Sequence, residues 1–202
     1  LNRPTAVTSP DGSVTRPAYN EASLLERVDV NLRGETANGE PVWSTFVADI
    51  DYDAKGQRQS IAYGNGARTE HAYDPLNFRL VNLATHRDAA TFPDDCPSSP
   101  SADWPGCAVQ ALSYTYDPVG NISRIRDDAQ QTIYFRNRRV DPSSDYAYDA
   151  LYQLIEASGR EHLGQGAGPT APDGNDVFHT GFPQPGDGNA MGRYVEGYVY
   201  DL

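Results

Sequence analysis

The sequence has two cysteines, one methionine and a single lysine, Lys55. Two cysteines are too few for a disulfide-dense scaffold, and without a histidine or cysteine array beside them they are weak material for a zinc site. The four histidines, His71, His86, His162 and His179, show no His-Glu-x-x-His and no paired ligand spacing. There is no Gly-x-Ser-x-Gly elbow and no phosphate loop ending in Gly-Lys-Ser or Gly-Lys-Thr. Gly64-Asn65-Gly66 is followed by strand-like residues and reads as a tight turn. Asp173-Gly174-Asn175-Asp176 and Asp187-Gly188-Asn189 lack the spacing of a calcium loop and also read as turns. No apolar run is long enough to span a membrane as a helix, and no basic-then-apolar leader opens the chain. No stretch sustains a helical period; 151–157 is a short ambiguous case, and its repeat context favours strand. A formal net charge of −12 makes nucleic acid a poor partner. These absences leave no enzymatic constellation and call for no cofactor.

What the chain has is tyrosine, 13 residues against 6 phenylalanines. A tyrosine packs its ring while its hydroxyl reaches water or a polar partner, which suits a sheet with one wet face. The stretch 113–126 shows how the tyrosines are used. Leu112, Tyr114 and Tyr116 alternate with Ser113, Thr115 and Asp117, a period of two that predicts a strand. Asp117-Pro118-Val119-Gly120 fits a type I turn, with Asp first, Pro second and Gly fourth. Asn121 tolerates a left-handed backbone, and Ile122 starts the return strand. The whole reads as one β-hairpin with Tyr-Asp at its tip.

The unit recurs. Tyr52-Asp53 is followed by Gly56, Tyr73-Asp74 by Pro75, and Tyr148-Asp149 by Leu151 and Leu154. Tyr19-Asn20 is a degenerate copy, and Tyr200-Asp201 opens another. The spacing between copies is irregular, about one hairpin or multiples of it with insertions. Such repeats imply an array in which neighbours bury each other's apolar faces.

The candidate motif residues are therefore Tyr19, Asn20, Tyr52, Asp53, Gly56, Tyr73, Asp74, Tyr116, Asp117, Gly120, Asn121, Tyr148, Asp149, Tyr200 and Asp201. Their pattern resembles the RHS, or YD-repeat, family. The string Ile61-Ala62-Tyr63-Gly64-Asn65-Gly66 with Tyr73-Asp74-Pro75-Leu76-Asn77-Phe78 is similar to repeats of insecticidal Tc toxin B and C components and SpvB-type virulence proteins. Segments around Tyr148, Gly159–Gln165 and Pro185–Met191 resemble the same proteins. The resemblance implies an all-β fold of antiparallel hairpins forming part of a spiralling, hollow shell. It also implies that the partners are neighbouring RHS repeats, an enclosed C-terminal effector polypeptide and other toxin subunits, in a secreted or cell-surface bacterial protein. Membrane insertion by this segment is not expected, and neither is protease or transferase activity. A carbohydrate-binding or adhesive surface repeat is the alternative, with Trp43, Trp104 or the tyrosines stacking on sugars. An enzyme using Asp173, Asp176 and Asp187 is a more remote one.

Two segments depart from the pattern. Residues 89–108 read as a Pro-rich inserted loop enclosing Cys96 and Cys107. A disulfide between them would suit an exported protein and stabilise by about 3 kcal/mol in the chain-entropy picture. Residues 159–192 read as a long Gly/Pro/Asp-rich loop. Arg124, Arg126, Arg136, Arg138 and Arg139 form a basic concentration, but Asp127, Asp128 and Asp141 nearby predict ion pairing over anion binding. Leu1-Asn2-Arg3 aligns with Leu76-Asn77-Phe78, so residues 1–202 are expected to be a fragment cut within the array.

Overall fold

The structure, a computed structural model, describes residues 3–88, 91, 92, 95, 108–163 and 187–201. Cys96, Cys107, Trp104, Asp173, Asp176 and His179 lie outside the described residues, and so does the expected disulfide. The chain divides into two compact units, Leu1–Gln110 and Ala111–Leu202. Both are all-β and antiparallel, as expected; a 3-10 turn at Leu32–Gly34 lies in the first unit.

In the first unit the sheet runs β1 (Val7–Thr8), β2 (Val14–Tyr19), β3 (Leu25–Asn31), β6 (Ser44–Tyr52), β7 (Arg58–Tyr63), β8 (Arg68–Tyr73) and β9 (Leu80–His86). Between β3 and β6 the chain builds a small separate hairpin, β4 (Thr36–Ala37) and β5 (Glu40–Pro41). β10 (Ala108–Tyr116) begins at the end of this unit. Most of it lies in the second, followed by β11 (Ile122–Asp127), β14 (Ser143–Tyr148), β15 (Leu154–His162) and β16 (Met191–Gly197). There, β12 (Ile133–Phe135) and β13 (Arg138–Val140) pair only with each other.

The period of two sorts each sheet into unlike faces. In the first unit Ile50, Ile61, Thr69 and Thr85 stand in register on one face, with Ile50, Ile61 and Thr69 buried. Asp51, Ser60 and Glu70 stand in register on the other. Ser60 donates to Asp51 at 2.8 Å and accepts from Arg68 at 3.0 Å. In the second unit Tyr114, Ile125 and Ser144 align on one face, and Arg124, Asp145 and Ser158 on the other. The expected ion pairing holds for three of the five arginines: Arg126–Asp128 at 2.7 Å and Arg139–Asp141 at 2.9 Å, each two residues apart, and Arg124–Asp145 across strands at 3.6 Å. Arg193 reaches the same Asp145 from β16 at 2.9 Å. All these pairs are partly exposed, so each contributes little alone and orders the wet face more than it stabilises it.

The loop expected over 159–192 is shorter at both ends. Residues 159–162 extend β15, pairing Gly159 with Tyr194 and His162 with Met191. Gly159 and Gly192 look like loop residues in the sequence, yet they serve close packing. A Cβ on Gly159 would stand 2.7 Å from the Tyr194 ring, and one on Gly192 would stand 2.6 Å from Leu163 Cδ2. Glycine within a strand marks this kind of approach.

Candidate functional site

The recurring Tyr-Asp turns lie along one edge of each unit, joining β2 to β3, β6 to β7 and β8 to β9 in the first, and β10 to β11 and β14 to β15 in the second. Each aspartate does the same work. Asp53 Oδ1 accepts the backbone N–H groups of Lys55 and Gln57 at 2.8 and 2.9 Å, and Asp149 Oδ1 those of Leu151 and Gln153, both at 2.8 Å. Asp117 Oδ1 takes Gly120 and Asn121 at 2.7 and 2.8 Å, while Asn121 Nδ2 donates to its other oxygen at 2.9 Å. Asp74 Oδ1 accepts from Leu76 at 2.7 Å, and Asn20, the degenerate copy, from Leu24 at 2.9 Å. One short carboxylate thus satisfies donors that a tight turn would otherwise leave to water. Burial raises the pKa of Asp117, but the bonds from Asn121 and Gly120 together outweigh it and hold the carboxyl below its ordinary value.

The turns end on a left-handed residue. Gly56 (φ 82°) and Gly120 (φ 112°) fill this place as the turn chemistry predicts. Ser23 (φ 67°), Phe78 (φ 63°) and Tyr152 (φ 63°) fill it in the other copies, against the preference of side-chain-bearing residues. Lys55 sits over the Phe78 ring, a cation–π contact between neighbouring tips.

The tyrosines do more than pack. In every complete copy the strand register slips by one residue at the tyrosine: between Ala18 and Tyr19, Asp51 and Tyr52, Ala72 and Tyr73, Thr115 and Tyr116, and Ala147 and Tyr148. This is a β-bulge at each tip. Across it Tyr19 faces Leu25, Tyr52 faces Arg58, Tyr116 faces Ile122 and Tyr148 faces Leu154. The next tyrosine along the array binds that facing residue. Tyr52 Oη donates to the Leu25 carbonyl at 2.6 Å, and Tyr73 to Arg58 at 3.0 Å. In the second unit Tyr148 donates to Ile122 at 2.9 Å, and Tyr200 to Leu154 at 2.8 Å. Tyr19 reaches the Pro4 carbonyl at 3.3 Å. Each hydroxyl therefore fastens its hairpin to the hairpin before it. Burial pushes the Tyr73 and Tyr148 hydroxyls above their ordinary pKa, so both remain donors at neutral pH. Asp201 is exposed, and its carboxylate makes no hydrogen bond among the described residues.

Beyond this edge the described residues show a groove but no metal-binding group. A groove of about 360 Å³ in the first unit is lined by Ile61, Tyr63, Thr69, His71, Leu83 and Thr85 among others. Burial lowers the His71 pKa and its Nδ1 has no partner, but the rest of the lining is apolar, hydroxyl or amide and includes no carboxylate or thiol. Among the described residues no group of three or more His, Cys, Asp or Glu is placed to hold a metal ion, and no helix is long and apolar enough to cross a membrane. Trp43, a candidate sugar platform, has Arg16 stacked on its ring at 3.8 Å.

No protein-family model matches the chain. It is 34% identical over 191 residues to the toxin subunit YenC1 of Yersinia entomophaga, and 33% identical to YenC2 of the same organism. Each alignment covers 94% of this chain and 17% of the relative, so the chain spans about a sixth of the curated relatives it matches. Among solved structures it is similar to the Photorhabdus luminescens Tc holotoxin pore, with TM-score 0.64 and 32% identity over 97% of this chain and 8% of that one. The crystal structure of TcdB2–TccC3 without its hypervariable C-terminal region gives TM-score 0.65 and 31% identity, with the same coverage. Sequence and fold agree: this chain belongs to the RHS-repeat family and is related to the subunits of Tc toxins.

Proposed function

We propose that this chain is a stretch of wall in a toxin subunit whose RHS repeats form a hollow shell around a C-terminal effector polypeptide. The observation that carries the reading is the tyrosine tie. Tyr52, Tyr73, Tyr148 and Tyr200 each bond a carbonyl of the preceding hairpin, so the repeats hold one another in sequence as a wall requires. The likeness to TcdB2–TccC3 supports it. The work done is containment, without bond chemistry, in a secreted bacterial protein whose further partners are other toxin subunits. The carbohydrate-binding alternative is less well supported, because Arg16 occupies the Trp43 ring.

Limited proteolysis of the whole parent protein tests the reading, with the effector followed by its mass. The effector should survive while the wall is intact and be digested when Tyr52, Tyr73 and Tyr148 are changed together to Phe. An effector that is cleaved equally in both proteins, or one found folded outside the repeats, would overturn containment.

A further inference from the structure

The excursion between β3 and β6 carries its own chemistry. Its base is clamped by the buried Asn31, whose Nδ2 donates to the carbonyls of Glu35 and Val42, both at 2.7 Å. The Val42 N–H also donates to Glu35 at 2.9 Å. Beyond this clamp stands the β4–β5 hairpin, two residues per strand, exposed throughout and paired with no other strand. So short an isolated hairpin opens easily. Its turn is Asn38-Gly39, with φ of 53° and 84°, the left-handed pair of a type I′ connection.

We propose that Asn38 is a site of spontaneous deamidation. When the hairpin opens, the Gly39 amide nitrogen gives its proton to solvent base and attacks Asn38 Cγ. A new C–N bond closes a five-membered succinimide, and the side-chain nitrogen leaves as ammonia. Water then opens the ring at either carbonyl, giving aspartate or isoaspartate. The balance is one asparagine and one water to one carboxylate and one ammonium, with no redox partner.

The sequence contains a second Asn-Gly, Asn65-Gly66, also exposed, and the structure separates the two. At Asn38-Gly39 neither the attacking N–H nor the carboxamide makes a hydrogen bond among the described residues. At Asn65-Gly66 both are engaged: the Gly66 N–H donates to the Tyr63 carbonyl at 3.0 Å, and Asn65 Oδ1 accepts from Ala67 at 3.1 Å. That turn also joins two strands of the main sheet, β7 and β8. Reaction at Asn38 adds a negative charge between Glu35 and Glu40. The isoaspartate product also lengthens the backbone by one methylene and spoils the two-residue turn. The Asn31 clamp keeps this change away from β3 and β6.

The 202-residue chain is incubated in mildly alkaline buffer beside a free peptide of residues 35–42 and an Asn38→Gln variant. Peptide mass spectrometry follows exchange of the amide NH₂ for OH, and a protein isoaspartate methyltransferase reports the isomer. In the folded protein Asn38 should convert about tenfold or more faster than Asn65, the ratio that a single extra hydrogen bond to break in the opening step would produce. Its rate should approach that of the peptide, both isomers should form, and the variant should stay silent at position 38. Equal or faster conversion at Asn65 would overturn the proposal. So would an unchanged Asn38 while the peptide reacts, or an Asn38→Gln variant that converts as fast.

Discussion

The tips at Asp117–Asn121 and Asp149–Gln153 belong to one unit and share one hydrogen-bonding scheme, yet they differ where the backbone turns left-handed. Gly120 takes that position at φ 112°, and Tyr152, a residue 60% exposed, takes it at φ 63°. The Asp117 bonds are half-buried and supplemented by Asn121, whereas those of Asp149 face solvent. The carboxylate scheme evidently tolerates a poor left-handed residue, and the first tip is built to a higher standard than the second.

The largest expected effect comes from removing the carboxylates. Asp117→Ala should lower the denaturation midpoint of the chain clearly more than Asp149→Ala, because it strands donors that water reaches less easily. Equal losses would mean that the two tips are energetically the same. Next come the left-handed positions. Gly120→Val should cost roughly 1–2 kcal/mol in equilibrium unfolding, while Tyr152→Gly should gain up to about 1 kcal/mol by relieving the same kind of strain. A loss at Tyr152→Gly would show that its ring contributes more than its backbone costs.

The tyrosine ties are worth somewhat less. Tyr148→Phe should cost about 1 kcal/mol, and the more exposed Tyr200→Phe about 0.5 kcal/mol, both read from denaturant unfolding. The smallest effect is one of pH. Asp117 is held below its ordinary value of 3.8 in the folded chain. Its contribution is therefore complete above that value and disappears as pH falls through the lower folded value. Asp29, held down first by its bonds from Arg27 and Thr45, has the same sign. The midpoint difference between the wild type and Asp117→Asn should stay constant above about pH 5 and shrink as pH falls through 3.8 and below it. A difference that widened on acidification would reverse the assignment.

How far the sequence could be read depended on how local each feature is. Strand identity and turn position were legible because alternation and an Asp-Pro-x-Gly run act within a few residues. The RHS-type fold followed from five such copies. The tyrosine ties were not legible, since Tyr148 finds its acceptor at Ile122 and Tyr200 finds its own at Leu154, and nothing local names those carbonyls. The bulges left a faint signal in two strands: in β3 and β15 two exposed residues separate Leu25 from Val28 and Leu154 from Ala157. Gly159 and Gly192 looked like loop residues because glycine has the same letter whether it bends the chain or admits a tyrosine ring.

The tyrosine tie also divides the labour between the two ends of the strands. At the Tyr-Asp end every connection has nearly the same length, because the hydroxyl must find the carbonyl opposite the preceding tyrosine. At the other end the connections are free to vary: residues 64–67 join β7 to β8 directly, 32–43 carry a hairpin, and 128–142 carry another. The irregular spacing of the repeats is therefore a property of one margin alone. For a protein engineer this margin is an insertion port. A tag or foreign loop placed at Asn65-Gly66 leaves the ties on either side intact, while the same insertion after Asp53 would dissolve the tip it interrupts.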